Sequence, residues 1–219
     1  MRFFKVKTIN WKYIFGEIFL IFVGINLAIW FNDWNSSKSI KSNKKIALNK
    51  IEGEIKNNLE QLLNNREHNQ KIASFLKEVK EIREKESGKL FGTPDFMQNF
   101  EKKYKDIIEI TDSTRIENGI YAYEGDSFVS LEIAEPNRIA WETSKSSGIF
   151  QEFGYECLYG LEGIYNSQKT LQNEIDKAVE ALRNESMDEL RRILGFLDQL
   201  EVQLEADYRE MLEGLDNCR

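Results

Sequence analysis

The chain has 219 residues, of which 31% are charged and 41% hydrophobic, and its formal net charge is −7. This length allows one moderate domain with a sizeable core, and the presence of only two prolines favours a helical protein. The chain is acidic and has no basic patch interleaved with aromatic residues outside one lysine-rich stretch. This pattern argues against nucleic-acid binding.

The first predicted element is an apolar run at residues 13–31, which reads YIFGEIFLIFVGINLAIWF. A helix over this run spans roughly 28 Å at about 1.5 Å per residue, close to the hydrocarbon thickness of a bilayer. Aromatic rings that favour the headgroup region flank the run at both ends: Trp11, Tyr13, Trp30 and Trp34. The sequence therefore predicts a transmembrane helix, preceded by a basic tail at residues 1–12 and followed by a domain in water.

Two other interpretations of the apolar run fit its borders less well. A cleaved signal peptide ends in small residues before the cut, whereas this run ends in Trp30-Phe31-Asn32-Asp33-Trp34. A buried core helix does not carry tryptophan at both borders with lysine or arginine beyond them. We therefore expect an uncleaved signal anchor that holds the protein in the lipid bilayer.

The expected orientation of this anchor depends on its basic flanks. The two sides carry equal numbers of positive side chains: Arg2, Lys5, Lys7 and Lys12 before the span, and Lys38, Lys41, Lys44 and Lys45 after it. Short basic tails beside a first and only anchor usually stay in the cytoplasm. We therefore expect a cytoplasmic N-terminus and a large domain on the opposite side of the membrane.

One face of the predicted span has features of helix packing. Glu17, Ile21, Gly24 and Ala28 share one side of a helix, and the small residues at 24 and 28 let two helix backbones approach closely. Glu17 lies one turn inside the span, which leaves two roles open: an interfacial carboxylate paired with the tail, or a group that binds a partner. Asn26 lies deeper, on another face, and needs a hydrogen-bond partner. We therefore expect self-association or another membrane protein beside this helix.

The span is predicted to continue outward as a long juxtamembrane helix within residues 32–87. Apolar residues recur along it with helical spacing: Leu48, Ile51, Ile55, Leu59, Leu62, Ile72, Leu76 and Val79. The polar stretch at residues 64–70 interrupts this pattern and is compatible with a break, an exposed segment or a polar layer in a bundle. His68 within it is predicted to be a surface residue rather than a metal ligand or a base.

Residues 88–219 complete the predicted extramembrane domain. Glycine and proline mark a loop before a short helix at residues 95–108. An alternating pattern then predicts a β-hairpin at about residues 116–133, with its turn at residues 124–126. Such a hairpin is too small to be stable alone, so it must pack on the helices.

Three helices are predicted in the C-terminal part, at residues 136–146, at residues 151–183 and from Ser186 onward. Ser186 and Glu189 match a capping box, and a turn of two residues makes the last two helices an antiparallel pair. Apolar residues at seven-residue spacing predict bundle core in the last helix: Leu190, Leu197, Leu204 and Met211. The predicted fold is mainly α, an elongated antiparallel helical bundle with a small β-hairpin, attached to the transmembrane helix.

Two sequence patterns resemble those of a bacterial family. One runs from Phe15-Gly16-Glu17-Ile18 through Gly24-Ile25 and Ala28 to Asn32-Asp33-Trp34-Asn35, and the other joins Ala140-Trp141-Glu142-Thr143, Ser146-Ser147-Gly148 and Tyr165-Asn166. They are similar to patterns in single-pass inner-membrane proteins, mainly from Bacteroidota, that share a domain of unknown function. This chain departs from the family pattern at Asn26 and Trp30. The resemblance implies a helical protein of the bacterial inner membrane and supplies no activity. With the expected orientation, the large domain would lie in the periplasm.

The two cysteines, Cys157 and Cys218, leave two interpretations open. They could form a disulfide in an oxidising periplasm, or remain as a buried thiol and a terminal thiol. The position of Cys218 as the penultimate residue favours the two separate thiols. Neither cysteine belongs to a CxxC pair or has an associated histidine, so zinc binding and cysteine catalysis are not predicted.

No other residues form a catalytic or cofactor motif. Carboxylates of the last helix follow the spacing of a solvated face: Glu201, Glu205, Asp207 and Glu210. Aromatic residues are numerous in the second half of the chain: Tyr121, Tyr123, Trp141, Tyr155, Tyr159 and Tyr165. They could line a pocket or a protein-binding face, although core packing is favoured. We therefore expect no cofactor and no enzyme activity.

The sequence best fits a structural or interaction protein, a subunit of a homo- or hetero-oligomeric inner-membrane complex. The second hypothesis is a sensor whose bundle binds a small ligand. It requires a signalling partner, because a tail of about a dozen residues cannot carry an output domain. The weakest hypothesis is a small oligomeric channel lined by Glu17 and Asn26, because residues on opposed faces of a straight helix cannot both line one pore.

Overall fold

The computed structural model describes residues 11–133 and 135–218 of the chain. In chain order its elements are α1 (Trp11–Ile82), β1 (Leu90–Gly92), α2 (Pro94–Lys103), β2 (Ile108–Arg115), β3 (Tyr121–Ser127), α3 (Ile139–Ser146), α4 (Tyr155–Arg183) and α5 (Met187–Gly214). Short 3-10 turns follow α3 at Ile149–Glu152 and α5 at Leu215–Cys218. The prediction of a mainly helical fold with a small antiparallel sheet is confirmed.

Helix α1 is uninterrupted over 72 residues. At 1.5 Å per residue it is about 108 Å long. The predicted span and the predicted juxtamembrane helix are therefore one element, and the polar stretch at residues 64–70 does not break it. Of the predicted basic tail, residues 1–10 lie outside the described part of the chain.

Helices α4 and α5 complete a three-helix bundle with the distal part of α1. Helix α5 packs against both neighbours. Three polar pairs show that it runs antiparallel to α1: Lys80 with Asp188, Gln70 with Asp198, and Arg66 with Glu205. The predicted antiparallel pairing of α4 and α5 is confirmed, and Glu185 turns the chain between them with a positive φ of 54°. Ser186 precedes α5 without a side-chain capping bond, so the predicted capping box does not form.

The apolar stripes read from the sequence form the core of this bundle. Their buried members include Leu48, Ile55, Leu62, Leu76, Leu161, Tyr165, Leu171, Leu190, Leu197, Leu204 and Met211. Burying one large aliphatic side chain contributes about 1.5–3 kcal/mol to folding. The helical periodicity therefore predicted which face of each long helix turns inward.

The β-hairpin lies earlier in the chain than predicted. Strand β3 pairs with β2 on one side and β1 on the other, both antiparallel. The turn between β2 and β3 uses Asn118 and Gly119, which have positive φ values of 52° and 77°. Residues 124–126, predicted as the turn, lie inside β3. Gly125 is needed there because a Cβ atom would come within 2.5 Å of the Glu109 carbonyl oxygen.

Helix α2 is shorter than predicted and anchors the sheet to the distal end of α1. It ends at Lys103 rather than at residue 108, because Ile108 already pairs in β2. The rings of Phe75, Phe100 and Tyr104 pack together with centroid distances of 5.0–5.9 Å. The Tyr104 hydroxyl also donates a hydrogen bond to a Glu78 carboxylate oxygen at 2.9 Å. This aromatic cluster holds α2 against α1.

A linker returns from the sheet to α3, which packs on α1 nearer the N-terminus. Helix α3 begins at Ile139, three residues later than predicted, and Gly148 follows its end with a positive φ of 76°. Helix α4 begins at Tyr155 rather than at residue 151, because the 3-10 turn occupies the intervening chain. The late start of α3 leaves Asn137 outside the helix, where its backbone bonds with the Asn58 side chain of α1.

Cys157 and Cys218 are joined by a disulfide that closes 61 residues of chain. The alternative that the sequence favoured, two separate thiols, is therefore wrong for this structure. The antiparallel pairing of α4 and α5 brings the start of one helix beside the end of the other. A position near the C-terminus consequently does not leave Cys218 free, because the 3-10 turn after α5 buries it against the bundle.

Candidate functional site

Within the described chain, α1 is the one helix with a segment long and apolar enough to cross a membrane, and this segment is its N-terminal part. None of its most apolar residues is buried inside the protein. A core helix of a soluble domain would be mostly buried, so that alternative does not fit. A membrane span and a signal anchor both fit the length, composition and exposure.

The side chains predicted to pack in the membrane are uncovered. Ile21, Gly24 and Ala28 are exposed on one face of α1, together with Glu17. A Cβ atom added at Gly24 would meet no other atom within 4 Å. Asn26 donates from Nδ2 to the Phe22 carbonyl oxygen at 2.7 Å, so α1 itself satisfies part of its hydrogen-bonding capacity.

The predicted interfacial aromatic residues lie at both ends of this segment. Trp11, Trp30 and Trp34 are exposed, whereas the side chain of Tyr13 lies outside what the structure describes. The ring centroids of Trp34 and Phe31 lie 6.0 Å apart, and the Lys38 ammonium lies 5.9 Å from the Trp34 ring centroid. An aromatic ring next to a lysine is the combination that suits the boundary between hydrocarbon and headgroups.

The neck of α1, residues 32–43, joins the apolar segment to the domain. Every residue in the neck is exposed, and at about 1.5 Å per residue it extends roughly 18 Å beyond the apolar segment. The first buried residue of α1 is Leu48. The bundle therefore does not contact the apolar segment, and a helical neck separates the two.

A buried carboxylate fixes α3 to α1 just beyond the neck. Glu54 is 6% exposed and accepts hydrogen bonds from the Ala140 and Trp141 backbone N–H groups at 2.7 and 3.3 Å. It also accepts one from the Tyr165 hydroxyl at 2.6 Å, and the Trp141 ring stacks on Tyr165 at 5.1 Å. A carboxylate suits this position because the first N–H groups of a helix lack intrahelical partners.

This carboxylate also affects the chemistry of the tyrosine that binds it. Burial, followed by the hydrogen bond to Glu54, raises the pKa of Tyr165 well above its ordinary value. The phenol therefore stays protonated and acts as a hydrogen-bond donor. Gln168, one turn further along α4, donates to the Tyr208 hydroxyl at 2.9 Å and extends the buried polar cluster to α5. This cluster joins the three long helices and α3.

Two asparagines on α1 bind the linker between β3 and α3 in the same way. Asn58 donates to the Asn137 carbonyl and accepts from its N–H, both at 2.8 Å. Asn69 does the same with Glu132 at 2.8 and 3.0 Å. The two asparagines are eleven positions apart on the helix, or about 16 Å, a distance that a chain segment of five residues can cover when extended. Asn69, within the polar stretch at residues 64–70, thus helps to bind the linker to α1.

A groove of about 790 Å³ lies between α1 and α3 at the end of the domain nearest the neck. Its lining is mixed: exposed aliphatic side chains at Ile46 and Ile139, amides such as Asn43 and Asn57, and Gly53 on its α1 wall. The carboxylate of Glu54 at its base is already bound by the two backbone N–H groups and Tyr165. The groove surface is therefore mixed in polarity, and its lining includes one lysine, Lys50.

A second groove, between α1 and α5, contains a carboxylate that the sequence placed on a solvated face. Glu201 is 6% exposed, and burial raises its pKa to about 7, partly offset by Arg66. Arg66 pairs with Glu205 at 2.8 Å. Hydrogen bonds from Arg209 and Arg66 lower the pKa of Glu205. The expectation of a solvated face is therefore wrong for Glu201, because its position lies on the buried side of α5, between Leu197 and Leu204.

The aromatic residues singled out in the sequence fall into two groups. Trp141, Tyr165 and Tyr123 are buried, as core packing predicts, and Tyr121 is half-buried. Tyr155 and Tyr159 are exposed and stack on each other on the outside of α4, with their ring centroids 6.4 Å apart. The pair does not line either groove.

Metal chemistry finds no support in the part of the chain that the structure describes. These residues contain no group of three histidine, cysteine or acidic side chains placed to hold a metal ion. His68 is exposed, as predicted, and its Nε2 lies 3.0 Å from the Ser130 carbonyl oxygen. It contributes to holding the linker.

In comparisons with protein-family models, curated proteins and solved structures, no match to this chain was found. Interpretation of the site therefore depends on its own geometry. Sequence reasoning missed Glu54 and Asn58, the polar residues that organise the groove. A signal was present, because both lie on the inward face defined by Ile51 and Ile55, where an unpaired polar residue would be costly.

Proposed function

We propose that this protein is a single-pass membrane-anchored interaction protein, a subunit of an oligomeric complex in a bacterial inner membrane. The observation that carries the proposal is that the N-terminal part of α1 is exposed, whereas the rest of the helix is packed in the bundle. Its apolar segment and neck, residues 11–43, are almost wholly exposed, although they carry Gly24 and Ala28 at the spacing of close helix packing. The domain supplies no cover for this segment, so lipid and a neighbouring helix are its natural surroundings.

The disulfide supports an extracytoplasmic position for the domain. Disulfides persist in oxidising compartments such as the periplasm and are rare in the cytosol. Cys157 and Cys218 are paired, which agrees with the orientation inferred from the short basic tail. The resemblance to the Bacteroidota family supports the same compartment. In this proposal the N-terminus is cytoplasmic and the bundle is periplasmic.

Protease accessibility tests the orientation and the anchor together. Protease added to intact spheroplasts should digest the bundle, and protection of the bundle would contradict the proposed orientation. Washing membranes with alkaline carbonate should leave the full-length chain in the membrane pellet. Release into the supernatant would contradict membrane insertion.

The mass of the detergent-extracted complex tests self-association or a bound partner. We expect a defined oligomer, and Gly24→Leu should reduce it to the mass of one chain with bound detergent. Gly16→Leu is the matched control, because Gly16 also has no atom within 4 Å of an added Cβ but lies about 80° around α1 from Gly24. Equal effects of the two substitutions, or a monomeric wild type, would contradict the proposal.

Ligand sensing is the second candidate, and the groove between α1 and α3 is the observation that favours it. A volume of about 790 Å³ is large enough for a small metabolite. A monomer that carries a bound metabolite in native mass spectrometry would favour sensing over a structural role. Substitution of Ile139, which is exposed at the groove, should then weaken retention of that metabolite.

A further inference from the structure

The unbroken course of α1 sets the rotation of its apolar segment relative to the groove. Ala28 and Ile46 are 18 residues apart, which is about five turns at 3.6 residues per turn. Glu17 and Gly53 are 36 residues apart, or about ten turns. These four residues therefore face the same side. We call this side the open face; its members are Glu17, Ile21, Gly24, Ala28, Ser39, Ile46, Gly53 and Asn57.

The open face remains uncovered in the groove as well as in the apolar segment. Ile46 is 55% exposed and Ile139, across the groove on α3, is 72% exposed. A Cβ atom added at Gly53 would meet nothing within 4 Å, as at Gly24. The side chains of the open face are therefore accessible to a neighbouring helix both in the apolar segment and at the groove.

The composition of the neck favours packing of a second helix beside it. It includes Asn35, Ser36, Ser37, Ser39, Ser42 and Asn43, and serine and asparagine are poor helix formers. Helices in water are held mainly by packing of one face, yet nothing in the described chain packs on the neck. A second helix along the open face would supply this packing.

The chemistry of the open face is suited to a copy of itself. A two-fold interface brings each residue near its own counterpart, so a face rich in one charge is excluded. Along the open face the ionisable residues are Glu17 and, at its margin, Lys50; the neck lysines Lys38, Lys41 and Lys45 lie on another side. Amides such as Asn57 both donate and accept, so two copies can hydrogen-bond to each other. A parallel copy also brings the two membrane segments to the same height.

We propose that the groove between α1 and α3 receives α1 of a second copy of this chain. The membrane segment, the neck and the groove then form one continuous parallel interface, with the two α3 helices on its outer sides. This proposal rests on the proposed self-association and deepens it, because it assigns the groove to a protein partner rather than to a small ligand.

Cysteine crosslinking in intact membranes tests the interface with the full-length chain. Ile46→Cys should form a dimer with a short bismaleimide about ten-fold faster than Lys41→Cys, because a shared interface raises the effective concentration of facing thiols. Lys41 is the matched control, since it is exposed and lies about 140° around α1 from Ile46. Gly24→Cys reports on the membrane segment in the same assay.

The outcomes separate this inference from the proposed function. Rapid dimer formation at both Gly24→Cys and Ile46→Cys supports the continuous interface. Crosslinking at Gly24→Cys with equal, slow rates at Ile46→Cys and Lys41→Cys would overturn the groove assignment and leave membrane self-association standing. No dimer at any position, with a monomeric mass, would overturn both. Crosslinking of Ile46→Cys to a different protein would overturn the second copy as the occupant.

A substitution that fills the groove supplies an independent measurement. Gly53→Leu should slow the Ile46→Cys crosslink about ten-fold, because a larger side chain on the open face holds the helices apart. Circular dichroism of the purified variant checks that the bundle still folds, as expected from the free space around Gly53. A folded Gly53→Leu variant with unchanged crosslinking would overturn the proposal.

Discussion

Residues 11–43 of α1 contact little else in the described chain, whereas residues 44–82 of the same helix carry much of the core. The first part consists of an apolar segment and a polar neck that are both exposed, and the second has a buried stripe opposite a solvated side. One helix therefore serves two environments. The difference shows that one helix can continue from a part that packs on no other described element into a part that is stabilised by packing in the bundle.

The largest expected effect is on the stability of the bundle, in which α4 and α5 cover residues 44–82 of α1. Cys157→Ser removes the disulfide that closes 61 residues, and the loop-entropy model gives a loss of about 4 kcal/mol in the free energy of unfolding. Denaturant unfolding of the detergent-solubilised protein measures this loss. Wild-type protein treated with reductant should show the same loss, and an unchanged midpoint would contradict a disulfide in the native protein.

The second effect concerns the carboxylate that joins α3 to the covered part of α1. Glu54→Ala leaves the Ala140 and Trp141 N–H groups and the Tyr165 hydroxyl without their partner, and it should cost about 3 kcal/mol. Glu60→Ala, an exposed change on the same helix, should alter stability by less than about 0.5 kcal/mol. Equal effects would mean that Glu54 does not anchor α3.

The third effect comes from the pH dependence of the interface between α1 and α5. The pKa of Glu201 is raised from 4.5 to about 7 by burial, so the folded protein binds more protons than the unfolded chain between these values. Stability should therefore fall by about 3 kcal/mol as the pH rises from 4.5 to 7.5. Glu201→Gln should be flatter over this range, and an identical pH profile for the two proteins would contradict the assignment.

The smallest expected effect is the loss of stability on replacing asparagines, which should differ between the bundle part of α1 and its neck. Asn69→Ala removes two hydrogen bonds to Glu132 and should cost about 1 kcal/mol, whereas Asn58→Ala at a buried site should cost about 2 kcal/mol. Asn35→Ala in the neck is the control and should not destabilise the bundle. The linker should also be cleaved faster by protease in Asn69→Ala than in Asn35→Ala, because only Asn69 binds the linker.

The error in the β-hairpin has a clear physical cause. The prediction relied on Gly125 as a turn residue, but this glycine serves the close approach of β3 to Glu109. The Asn118-Gly119 pair, which suits a turn with two positive φ values, was present in the sequence and is where the chain turns. Local pattern located a hairpin, and the strand pairing decided which glycine makes the turn.

The candidate groove was less predictable than the fold. Glu54 and Asn58 are separated from their partners at residues 137–141 and 165 by about 80 or more positions, and no local pattern connects residues so distant. The disulfide was predictable only as an alternative, because the pairing of Cys157 with Cys218 depends on how α4 and α5 lie together. Glu201 was misassigned although its position between Leu197 and Leu204 lies on the buried side of α5.

The sequence by itself determined the long helices, their inward faces and the apolar segment near the start, because length, hydropathy and helical period are properties of neighbouring residues. Only the tertiary structure decided that α1 continues without a break, that its polar stretch binds the linker, and that the open face runs into a groove. These features depend on contacts between distant residues and on the rotation accumulated along a continuous helix.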